Sequence, residues 1–179
     1  MPAVCTDTGP LLWMLEGTAR ANPDELARAQ AFADLLLQLQ REGAAIIVPR
    51  VVAAELLTKY DDDERLRMLK DLAERFDLAE FDDLTVLRAA EINANRAARD
   101  AHRQADPVNS TRQRYKIDVL VVATAKARRC RLLTSDGPMA ALAKDVGVAV
   151  IDNPLPNEFG SLFFNPSDGV KPAAPPPTE

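Results

Sequence analysis

Two hydrophobic periods alternate along the chain, and each change of period marks an element. The run Ala3-Val4-Cys5-Thr6 favours a short strand ending at Asp7, after which Gly9-Pro10 opens a helical stretch through Leu15 that Gly17 closes. Asn22-Pro23-Asp24 reads as a helix start, with Leu26, Ala29, Ala33 and Leu36 at helical spacing until Gly43. Ile46-Ile47-Val48 is a second strand. Pro49 leads into a helix carrying Val52, Glu55 and Leu56, and an amphipathic helix follows with Leu66, Leu69, Leu72 and Ala73 along one face. Near alternation over residues 76–81 predicts a third strand at a sheet edge.

From Leu84 the spacing predicts one long helix, with Leu87, Ala90, Ala94, Ala97 and Ala101 on an apolar face and polar residues opposite. Residues 105–113, which include Pro107, Asn109, Ser110 and Thr111, have no apolar period and read as a loop. A helix from Tyr115 to Arg128 is apolar nearly all round, as a buried central helix must be. Leu132-Leu133 forms a fourth strand, Gly137-Pro138 begins a helix through Ala143, and residues 148–151 form a fifth strand. Strands and helices alternate throughout, which predicts an α/β fold with a mainly parallel five-stranded sheet.

The chain of 179 residues holds one ordinary domain, here residues 1–152, followed by a proline-rich tail over 153–179. Phe159, Phe163 and Phe164 in that tail are expected to dock on the domain rather than on a partner, with the final segment disordered. No apolar run reaches membrane-spanning length and the start MPAVCTDTG has no signal-like apolar core, so a cytoplasmic protein is expected. Cys5 and Cys130 lack metal-ligand spacing and read as small hydrophobes. The single histidine, His102, excludes mechanisms that need a histidine pair, and reads as a bystander on its helix rather than a base. No GxSxG, GxGxxG or GxxxxGK[ST] pattern occurs. The chemistry left in quantity is carboxylate.

Four acids are candidates. Parallel strands end along one edge of a sheet, where ligands of such sheets bind. Asp7 follows the first strand, Asp136 follows the fourth, Glu55 lies in the opening turns after the second, and Asp118 falls in the expected first turn of the central helix, so all four share that rim. Singly, each reads as a helix cap, a dipole partner or a solvated residue. Jointly, Glu55 and Asp118 stand in apolar surroundings where an unpaired charge is expensive, and clustered carboxylates raise one another's pKa unless a cation neutralises them. A hard divalent ion, Mg²⁺ or Mn²⁺, suits such oxygen ligands.

The ordered series Thr6-Asp7-Thr8, Ala54-Glu55-Leu56, Asp118 with Ala123-Thr124-Ala125, and Thr134-Ser135-Asp136, over roughly residues 3–151, resembles the PIN-domain family. The resemblance implies a Rossmann-like sheet, a Mg²⁺ or Mn²⁺ site at Asp7, Glu55, Asp118 and Asp136 with Thr134 steadying it, and phosphodiester cleavage, mostly of single-stranded RNA. It also implies a VapC-type toxin held inactive by an antitoxin, and a homodimer. Met139 stands where the family commonly has an aromatic residue, and the chain is longer than compact toxin members.

Charge adds a substrate. The 22 basic and 27 acidic residues leave a net charge of −5, but Arg96, Arg99, Arg103, Arg112, Arg114 and Lys116 lead directly into Asp118 and are candidate RNA contacts. The alternatives are a non-catalytic PIN-like module that binds RNA or protein, and a structure-specific DNase on the same fold. An aspartyl-phosphate enzyme fits less well, because Gly9 stands where its dehalogenase form needs a second aspartate.

Overall fold

β-branched and aliphatic runs too short for a helix form the strands, and they are buried almost throughout because helices cover both faces of the sheet. The computed structural model describes residues 3–17, 26–108 and 111–151. The elements follow in the order β1 (Ala3–Thr6), α1 (Thr8–Glu16), α2 (Leu26–Arg41), β2 (Ala45–Pro49), α3 (Arg50–Leu57), α4 (Asp62–Arg75), β3 (Asp77–Ala79), α5 (Asp83–Ala94), α6 (Arg96–Ala105), α7 (Arg112–Ala127), β4 (Arg131–Leu133), α8 (Gly137–Asp145) and β5 (Val150–Ile151). Every strand pair is parallel, and the order across the sheet is β3-β2-β1-β4-β5. The α/β expectation holds, with β3 at an edge as its alternating pattern predicts.

The order reverses between β1 and β4, whose last residues, Thr6 and Leu133, are in register. The Asp7 amide continues that ladder by donating to the Leu133 carbonyl at 3.0 Å. A reversal of this kind opens a crevice beyond the strand ends. Helix α7 packs on β1, β2 and β4, and its buried Val119, Val121, Val122, Ala123 and Ala125 are the centre of the core. The nearly all-round apolar pattern was the right signal for this position.

Three expectations need correction. The long helix from Leu84 is two helices, α5 and α6, meeting at Asn95, which ends the first and caps the second by accepting from the Ala98 amide at 3.2 Å. The buried face is also different: Thr85, Ala89, Ile92, Ala98 and His102 point inward, whereas Leu87 is 60% exposed and Ala90, Ala94 and Ala97 face solvent. A continuous helix burying Thr85, Ala89 and Ile92 would next bury Arg96, Arg99 and Arg103, and the break at Asn95 resets the phase so that these arginines stay in water. Finally, α7 begins at Arg112, capped by Thr111, so the loop is shorter than expected and Asp118 lies in the second turn. The proline-rich tail, and the helix start at Asn22-Pro23-Asp24, lie outside the described residues.

Candidate active site

The crevice between β1 and β4 opens into a cavity of about 610 Å³ lined by Asp7, Thr8, Glu55, Arg114, Asp118, Ser135, Asp136 and Met139, among others. All four acids named from the sequence therefore border one space. Each arrives by a different local rule. Asp7 is the N-cap of α1, its carboxylate accepting from the Thr8 amide at 2.6 Å. Asp136 is the N-cap of α8, accepting from the Met139 amide at 2.9 Å. Capping and membership of the rim are thus the same placement, since helices that follow parallel strands begin at the carboxyl edge.

Thr134 ties these two acids together. Its hydroxyl donates to Asp7 Oδ2 at 2.9 Å and accepts from the Asp136 amide at 3.0 Å. Gly9 keeps the α1 turn close to the loop after β4, because a Cβ there would meet Ser135 Oγ at 2.7 Å. Glu55 is the most accessible of the four, and the Thr8 hydroxyl donates to it at 2.6 Å. Its apolar neighbours Val52, Ala53 and Leu56 turn to the core while Glu55 turns to solvent, so the argument from costly burial applies to Asp118 and not to Glu55.

Asp7 and Asp118 are 8% and 4% exposed. Burial raises the Asp7 pKa from 3.8 to about 7, against the opposing hydrogen bonds from the Thr8 amide and Thr134, with repulsion from Asp136 and Asp118 adding to the rise. Burial likewise raises Asp118 to about 6, and its hydrogen bond with His102 works in the opposite direction. This donor set is made of hard oxygen ligands and is short of positive charge, which is the chemistry that fits a divalent cation. As they stand, however, no three Asp, Glu, His or Cys side chains among the described residues converge closely enough to ligate one ion. Each acid instead holds a protein partner: Thr134 on Asp7, Thr8 on Glu55, His102 on Asp118 and Arg114 on Asp136.

The last two partners were not foreseen. Arg114 reaches into the acid cavity, pairing with Asp136 and, at 3.3 Å, with Asp106. His102 is fully buried and its Nε2 lies 2.6 Å from Asp118 Oδ2. No residue pattern carried that signal, since on the predicted continuous helix His102 falls outside the apolar face.

The other cations named from the sequence divide. Arg99, Arg103, Arg112 and Lys116 line a second cavity of about 800 Å³, together with Asn93, His102, Thr111, Tyr115 and Leu120, and among the described residues no acid borders it. Thr111 belongs to both cavities. The Tyr115 hydroxyl is buried there without a hydrogen-bond partner among the described residues. Arg96 lies on the exposed face of α6, 3.8 Å from Asp100.

The PIN domain profile matches residues 4–145. No curated protein matches the sequence. Among solved structures, VapBC-1 from nontypeable Haemophilus influenzae is similar at 15% identity and a TM-score of 0.55, over 84% of this chain and 97% of the other. VapBC2 from Rickettsia felis, bound to a DNA fragment from its promoter, is similar at 14% identity and a TM-score of 0.52, over 83% and 97%. At these identities the likeness concerns the fold. With the profile spanning most of the sequence and the acids gathered at the β1/β4 crevice, the chain belongs to the PIN-domain family.

Proposed function

We propose that this protein is a ribonuclease that hydrolyses phosphodiester bonds of single-stranded RNA with Mg²⁺ or Mn²⁺, and that it is the toxin of a toxin–antitoxin pair. The observation that carries the reading is the pair of buried, charge-starved aspartates, Asp7 and Asp118, in a cavity that shares Thr111 with a cation-lined one. Asp7, Glu55, Asp118 and Asp136 would hold the ion. When bound, a divalent cation supplies a lowered pKa for water and charge stabilisation at phosphorus. The chain's own residues do the rest. Thr134 orients Asp7 and the turn carrying Asp136. Arg99, Arg103, Arg112 and Lys116 bind phosphates of a strand lying in the second cavity, where the Tyr115 hydroxyl, without a partner among the described residues, supports a polar ligand. Arg114 neutralises Asp136 and must yield it when the ion binds.

The two VapBC complexes of the same fold support an antitoxin partner. Homodimerisation and a cytoplasmic location belong to the same reading. Phe81, Leu84 and Leu87, which are 49%, 44% and 60% exposed, are the apolar surface that supports self-association, and sedimentation of the purified protein tests it. Incubation with labelled RNA and single-stranded DNA, in Mn²⁺ and then in chelator, tests the activity. Chelator-sensitive loss of RNA alone is expected. Cleavage of DNA alone would make the protein a DNase, and binding without turnover would make it a non-catalytic module, the reading favoured by the engagement of Asp136 with Arg114.

A further inference from the structure

His102 touches an acid of the candidate site from α6, a helix that follows another helix rather than a strand. It is the chain's single histidine. Helix α6 carries it, and the break at Asn95 sets the phase that turns it inward. Its ring lies against one turn of α7: it meets the Tyr115 ring edge-on at 5.1 Å and 81°, and reaches Asp118, three residues further along, at 2.6 Å. Both partners of that bond are buried, with side-chain exposures of 1% and 5%. An ionised carboxylate only accepts hydrogen bonds, so when Asp118 is charged the proton of this contact sits on Nε2.

We infer that His102 is the positioning residue for Asp118, its Nε2–H fixing one carboxylate oxygen so that the side chain stays aligned on the acid cavity for cation binding. The inference rests on the proposed metal site. Asp118 lies in the second turn of a helix, and the hydrogen bond from α6 supplies a directional restraint on its side chain. The edge-on Tyr115 contact holds the imidazole plane in turn. A ligand carboxylate anchored in this way loses less freedom on binding an ion, the usual benefit of an outer hydrogen-bonding partner.

The test uses the full chain and Mn²⁺ alone, followed by electron paramagnetic resonance without RNA. His102→Met keeps most of the volume and removes the donor, whereas His102→Gln keeps a donor within reach. Mn²⁺ affinity is expected to fall about 10- to 100-fold in His102→Met and to recover most of that loss in His102→Gln. In an Asp118→Asn background the Met substitution should add less than about twofold, because the pair is already broken. Turnover on RNA should show the loss at limiting Mn²⁺ and regain it at saturating Mn²⁺. A folded His102→Met protein that binds Mn²⁺ as wild type does overturns the inference. If that variant does not fold, the single imidazole of the wild type gives one assignable pair of ring-nitrogen NMR signals, and failure of the Nε2 signal to shift at saturating Mg²⁺ overturns the inference equally. Wild-type protein that binds no Mn²⁺ removes both the inference and the metal site. Binding that depends on His102 without RNA cleavage leaves the inference standing and removes the ribonuclease reading.

Discussion

The two cavities that meet at Thr111 hold opposite charges under opposite conditions. In the acid cavity, Asp7 and Asp118 are buried and pushed towards protonation near neutral pH. In the basic cavity, Arg99, Arg103, Arg112 and Lys116 are exposed, so water and salt screen them. One cavity is therefore expected to answer to pH and to cations, and the other to ionic strength. A net charge of −5 conceals this division, because it sums a chemistry set by burial with one set by exposure.

The largest effect should come from Asp118→Asn, which is expected to cut turnover at least ~10³-fold, about 4 kcal/mol of barrier, while leaving the salt dependence of RNA binding in place. A variant that cuts RNA at the wild-type rate would separate the acid cavity from catalysis. Next comes pH. Asp7 carries a folded pKa of about 7 against 3.8, so its favourable, protonated contribution to stability is fully present below pH 3.8 and is lost as pH rises through about 7. The melting temperature of the chelated protein should therefore fall across that window, Asp7→Asn should flatten the fall, and Mn²⁺ should offset it at pH 7.5. Calorimetric scans at several pH values check all three, and a flat wild-type profile would contradict the buried-charge argument.

Salt probes the other cavity. Replacing Arg99, Arg112 and Lys116 with alanine should reduce the slope of log affinity against log salt by about 2, at roughly 0.7 per lost phosphate contact, and leave the pH profile unchanged. An unaltered slope would move the RNA surface elsewhere. The smallest effect is expected at Asn95, whose cap starts the helix carrying His102, Arg99 and Arg103. Asn95→Ala should cost about 1 kcal/mol in chemical denaturation and weaken both Mn²⁺ and RNA binding modestly. Loss of only one of the two would show that α6 serves the cavities separately.

Much of this arrangement could be read before any coordinates. The two periods located all five strands, and the all-round apolar run identified α7 as central. Asp7 and Asp136 were placed at one edge because each follows a strand, and β1 and β4 are adjacent where the order reverses. Glu55 shows the limit of the same reasoning. Apolar neighbours in sequence implied burial, but on a helix residues one position apart face different ways, and α3 turns Glu55 outward. Similarly, the alanine stripe of α5 and α6 was a real periodicity with the wrong orientation. Alanine tolerates either environment, so the larger Ile92 and the charged Arg96 and Arg99 decided which face went in.

What the linear order of residues determined was the set of elements and the rim on which the acids stand, because strand direction, crossover and helix capping are local consequences of residue type. What only tertiary structure decided was the company each acid keeps: His102 on Asp118 across 16 positions, Thr8 on Glu55 across 47, and Thr134 on Asp7 across 127. A side chain's partners depend on the rotation and translation of whole helices about their neighbours, and those are set by the summed packing of many residues rather than by any pattern near the residue concerned.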